Sequence, residues 1–151
     1  MTGLQKRALF DLIISAVVLP CLTIIFFSGG GAATYVQDTT RKLLLAVLLG
    51  LGYLALFLVL FLVRVKPKGQ TMFMDERDER IARQALGTAF IVLAIYVVLT
   101  CIVLYEFYYS SRVMPVGWMW FLAYSSSFVA ISSRASVTLI FYARMNRHGQ
   151  G

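Results

Sequence analysis

The chain has 151 residues, of which 60% are hydrophobic and 14% charged, with a mean hydropathy of +0.79. Ordinary soluble domains are nearer half apolar and about a quarter charged. The composition excludes a disordered chain, a nucleic-acid-binding arm and a typical water-soluble enzyme, and points to a chain whose solvent is lipid.

A helix needs about 20 mainly apolar residues to cross the hydrocarbon core of a bilayer. Residues 8–27 form the first such stretch, preceded by Lys6 and Arg7, with Asp11 as its only charge and Pro20 inside it. It exceeds the apolar region of a secretory signal, about 7–15 residues, and so reads as a retained anchor. Val18-Leu19-Pro20-Cys21 lacks the small residue that a lipoprotein signal places before its cysteine. Residues 28–42 are a short connection in which Gly29-Gly30-Gly31 forms a turn, without the spacing of a dinucleotide-binding loop. The second stretch, 43–63, is uncharged and offers Ala46 and Gly50, with Gly52 beside them, as a small surface for close helix packing. After a connection over 64–84 comes the uncharged third stretch, 85–105, where Ala85 and Ala89 offer a similar surface. Residues 106–115 lead into the fourth stretch, 116–143, which contains Arg134. These runs are continuously apolar, whereas barrel strands alternate over about ten residues. The expected fold is all-α: one transmembrane domain over 1–151, a four-helix bundle.

Basic residues orient it. Lys6 and Arg7, the six Lys and Arg between residues 64 and 83, and Arg144 and Arg147 place ten positive charges on one side, against Arg41, Lys42 and Arg112 on the other. Lys and Arg concentrate in cytoplasmic connections, so both termini and 64–84 are expected inside a cell membrane, facing anionic headgroups. Tyr105, Phe107, Tyr108, Tyr109, Trp118 and Trp120 form an aromatic belt at the opposite boundary. Topology and headgroups account for the basic surplus, and no nucleic-acid partner is implied.

The 64–84 connection begins with a turn-rich stop, Arg64-Val65-Lys66-Pro67-Lys68-Gly69-Gln70, followed by an interfacial step, Met72-Phe73-Met74. Asp75, Glu76, Arg77, Asp78, Glu79 and Arg80 then read as the first turns of a long third helix. Asp75 is a suitable N-cap, and Glu76/Arg80 and Glu79/Arg83 have the spacing of i,i+4 ion pairs. The same six residues are the candidate docking surface for a protein partner. Asp75, Asp78 and Glu79 share a face, but no His or Cys backs them and a hard cation takes about six oxygens, so no metal is expected.

Met74-Asp75-Glu76-Arg77-Asp78-Glu79-Arg80-Ile81 resembles the D-E-R-D-E-x-I signature of small prokaryotic multi-pass membrane proteins of unassigned function, in which it also precedes a transmembrane helix. The resemblance covers these residues and the four-span layout. It implies a prokaryotic cytoplasmic membrane with the motif on the cytoplasmic side, and it imports no activity.

Inside the spans, Asp11 and Arg134 are the candidate charge pair, because each is costly in lipid alone. The competing arrangement pairs Asp11 with Arg7, one turn earlier, and lets Arg134 reach the headgroups. Ser125, Ser126, Ser127, Ser132, Ser133, Ser136 and Thr138 spread around the fourth helix, as suits a helix packed on several sides better than one lining a pore. Cys21 and Cys101 lie at similar depth, which makes contact possible. No metalloprotease, nucleophile-elbow, phosphate-loop or C-x-x-C pattern occurs, and the one His, His148, is terminal. The sequence therefore implies a non-enzymatic interaction, accessory or signalling component without a cofactor, with a protein partner or a second copy as its ligand. The alternative is a small oligomeric transporter or channel whose path uses the hydroxyls of the fourth stretch, Arg134 and Asp11.

Overall fold

The computed structural model describes residues 3–64 and 76–148, with the side chains of 63, 64, 76, 77 and 146–148 left out. It contains five helices: α1 Gly3–Phe27, α2 Gly31–Tyr35, α3 Thr39–Arg64, α4 Glu76–Tyr108 and α5 Gly117–His148. The four long ones are each long and apolar enough to cross a membrane. The chain is a multi-pass α-helical membrane protein, a four-helix bundle.

The helices outrun the apolar stretches. α1 begins five residues before Ala8 and takes in Lys6 and Arg7, and α4 begins nine residues before Ala85. Backbone groups satisfied within a helix need no water, and long basic side chains reach the headgroups, so helical structure extends past the hydrocarbon boundary. α1 also runs unbroken through Pro20. The expected plain connection over 28–42 instead holds α2.

α5 occupies the middle of the bundle, between α1 and α4; α3 packs chiefly on α1, and α4 chiefly on α5. α1 and α5 are antiparallel: Phe26 meets Trp118 at one end, and Asp11 and Arg134 share a cavity near the other. We call the end with α2 and the α4–α5 connection the loop end, and the opposite end the tail end. Apolar side chains gain little by leaving lipid for each other, so these contacts depend on close packing and interhelical hydrogen bonds. On α4, Ile81, Ala85 and Ala89 recur every four residues and are buried. On α3, Leu45, Leu49 and Gly52 form the inward face. A Cβ at Gly52 would lie 3.1 Å from Val18 Cγ2 and 3.2 Å from Phe128 Cζ, so glycine is what lets α3 approach α1 and α5. Of the expected small surface Gly52 packs inward, whereas Ala46 and Gly50 are exposed one position off that face, and Gly50 meets open space.

The core lies toward the loop end, where Val18, Leu22, Phe26, Ala32, Tyr35, Leu45, Leu49 and Phe128 cluster. Gly30 and Gly31 turn the chain into α2 with φ of 98° and 64°, a region that favours glycine. α2 lies against the start of α5, where a Cβ on Gly117 would stand 2.6 Å from the Ala32 carbonyl oxygen and 2.9 Å from its Cα.

Candidate functional site

The tail end carries most of the candidate docking residues. Asp75, with its expected capping role, lies outside the described residues, as do the turn and interfacial step of residues 65–74 and the side chains of Glu76 and Arg77. The Glu76/Arg80 pair therefore has no described geometry. Of the remaining three, Asp78 is engaged inside the bundle: the Tyr142 hydroxyl of α5 donates a hydrogen bond to its Oδ1. Glu79 is exposed and accepts from Arg83 Nη2 at 2.6 Å, the expected i,i+4 pair. Arg80 is exposed beside them. Glu79, Arg80, Ile81, Arg83 and Gln84 of α4 face Phe141 and Met145 of α5 across an open groove of about 950 Å³. Its walls combine charge of both signs with an apolar floor. Among the described residues no group of three or more His, Cys, Asp or Glu side chains could hold a metal ion.

Among the described residues three hydrogen bonds join α4 to α5, and Asp78 to Tyr142 is the one nearest the tail end. Tyr96 Oη and Ser125 Oγ lie 2.7 Å apart midway. Trp118 Nε1 donates to Tyr108 Oη at 2.8 Å at the loop end. Across α5, Tyr53 of α3 reaches Ser127 Oγ at 2.5 Å. Of the other Ser and Thr hydroxyls of α5, four turn to their own backbone. Ser126 donates to the Ala123 carbonyl, Ser132 and Ser133 to that of Val129, and Thr138 to that of Arg134.

Asp11, Arg7 and Arg134 line one small cavity of about 10 Å³ with Leu4, Ala8, Ala135 and Thr138. The described ion pair of Asp11 is the i,i+4 one, with Arg7 Nε 3.8 Å from Asp11 Oδ2. Arg134 lines the same cavity and is not at ion-pair distance from the carboxylate. The two expected charges therefore share a site, and the direct pair is made within α1. Cys21 and Cys101 are both free and sit on α1 and α4, which α5 separates.

One polar cluster at the loop end is not anticipated by the charge count, which treats Arg41 only as an external cation. Asp38 precedes α3, accepts from the Arg41 backbone amide at 3.1 Å and binds Arg41 Nε at 2.8 Å. Arg41 Nη2 also donates to the Gly29 carbonyl at 2.6 Å, and Thr34 Oγ1 donates to the same oxygen at 2.6 Å. The hydrogen bonds from Arg41, backbone and side chain, hold the Asp38 carboxyl below its usual pKa. The Asp38-Thr39-Thr40-Arg41 spacing carries the signal, an N-cap acid three residues before its donor.

No family model matches the chain, and no curated protein or solved structure is significantly similar to it.

Proposed function

We propose that this is a non-enzymatic membrane component that docks a protein partner through the first turns of α4, on the cytoplasmic side of a cell membrane. The observation that carries the reading is the tail-end groove. Its rim presents Glu79, Arg80 and Arg83 to solvent, while Ile81, Phe141 and Met145 give it an apolar floor. A surface with charges for register and a desolvated centre is what a protein interface uses. The ten basic residues that the sequence carries at 6–7, 64–83 and 144–147 support its cytoplasmic side, and so does the resemblance of residues 74–81 to a signature of small prokaryotic membrane proteins. Binding a partner also leaves the bundle intact, which suits a central helix most of whose Ser and Thr hydroxyls bond their own backbone or a neighbouring tyrosine rather than line a path.

The test exchanges Glu79 and Arg83 together, Glu79→Arg with Arg83→Glu. The exchange keeps the pair and the helix but inverts the pattern that a partner would read. A photo-crosslinker at Arg80 should give an adduct of defined mass in the parent protein and lose it in the exchanged one, at equal membrane abundance. An adduct of the same yield in both would overturn the docking reading.

A further inference from the structure

We propose that the loop end holds a specific anionic phospholipid, its acyl chain lying along the α4–α5 groove and its phosphate on Arg112. This site lies at the opposite end of the bundle from the docking groove and does not depend on it. The groove has a volume of about 700 Å³ and lies open along one side. That volume is within the range of about 300–1,000 Å³ typical of small-molecule sites. Cys101, Leu104, Met119 and Leu122 form its apolar length. From Cys101 to Tyr108 it follows about two turns of helix, about 10 Å, into the hydrocarbon depth. An acyl chain can enter from the side without leaving the membrane.

The charge at its mouth selects the head. Arg112 lines the groove and is its only lining residue with a formal charge. Its guanidinium makes no hydrogen bond or ion pair with a described residue, and the nearest acidic residue in sequence, Glu106, is not among the lining residues. The backbone sets the position of Arg112. Its amide donates to the Tyr108 carbonyl at 3.0 Å, and its φ is 54°, in the left-handed region that few side chains other than Asn and Asp adopt. An arginine fixed there, at the rim of an apolar groove beside the aromatic belt, matches a phosphate at headgroup level above a buried chain. The net positive mouth favours an anionic head over a zwitterionic one.

Trp118 also lines the groove, and the chain's other indole, Trp120, lies outside it. This gives a direct probe. In a Trp120→Phe protein reconstituted in mixed vesicles, brominated phosphatidylglycerol should quench Trp118 fluorescence at a lower mole fraction than brominated phosphatidylcholine. The expected preference is about five-fold, the factor that one basic residue supplies near an anionic surface. Arg112→Gln should abolish the preference and Arg112→Lys should retain it. Both keep the main chain, and an unchanged Trp118 emission maximum without brominated lipid reports an intact groove. Equal quenching by the two lipids in the parent, or a preference that persists in Arg112→Gln, would overturn the proposal. So would a Trp118 that neither lipid quenches because a second copy of the chain covers it, as cross-linking would reveal.

Discussion

Gly50 and Gly52 are two residues apart on the same helix, yet a methyl group has opposite consequences at each. At Gly50 nothing lies within 4 Å, so Gly50→Ala should be neutral or should stabilise by up to about 1 kcal/mol through helix propensity. At Gly52 the added carbon meets Val18 and Phe128, and at Gly117 it meets backbone that cannot rotate away. Gly52→Ala and Gly117→Ala should each cost about 1–3 kcal/mol, as overpacking does, with Gly117 the larger because α2 must shift as a unit. Reversible unfolding in mixed micelles would rank the three. Asp38 gives a pH-dependent counterpart. Its folded pKa is lowered, so its contribution is present above the unfolded value of about 3.9 and is lost as pH falls through the folded value below that. Asp38→Asn keeps the cap and removes the titration. The parent should therefore lose more thermal stability than Asp38→Asn when both are taken from neutral pH into that acid range.

These residues also show what the sequence could and could not disclose. Spans were legible because lipid imposes a length and an apolarity that any stretch must meet. Asp11 and Arg134 were legible as neighbours because both are expensive at similar depth, but which arginine closes on the carboxylate depends on side-chain reach. The packing face of α3 was legible at Gly52 and misplaced by one position at Ala46 and Gly50. Ala46 and Gly50 satisfy the small-residue rule, yet Leu45, Leu49 and Gly52 face inward, because in a uniformly apolar helix no polar side marks the exterior.

At the scale of elements, α5 is the least apolar of the four spans. Its central place follows: neighbours on both sides cover its hydroxyls, and α3 and α4 each send it a tyrosine. α4 is its complement, with only 6% of its apolar window buried, and it depends on α5 for attachment. The three α4–α5 hydrogen bonds should therefore govern its release. Interhelical hydrogen bonds in membranes contribute about 0.6 kcal/mol on average and at most about 1.7. Tyr96→Phe should sit near the lower figure, since Ser125 keeps the Phe121 carbonyl as acceptor at 2.6 Å. Tyr142→Phe should cost more, because it takes the tyrosine from a carboxylate. The two sites lie about 27 Å apart along α4 at helical rise, so the losses should add. Unfolding free energies of the single and double variants would check both statements.

For the whole molecule, the charge asymmetry makes the direction of insertion testable. If ten basic residues against three govern it, a reporter joined after residue 70 should behave as cytoplasmic and one near Gly30 as external. Moving two lysines into the 28–38 connection should raise the inverted fraction. An unaltered orientation would show that the apolar stretches alone set it.

The order of packing has a consequence for biosynthesis. Chain order runs α1, α3, α4, α5, but in space the last of these four to be synthesised is the one that joins the others. α1 and α3 can meet as soon as both have entered the bilayer. α4 must then wait in the membrane with its principal interface unmade. Its high hydropathy equips it to do so. α5 enters after these three and is the least apolar of the four, and it finds on α1 and α4 the partners that make its polar surface tolerable. Between the insertion of α4 and that of α5 the chain therefore carries an α4 whose principal interface is still unmade.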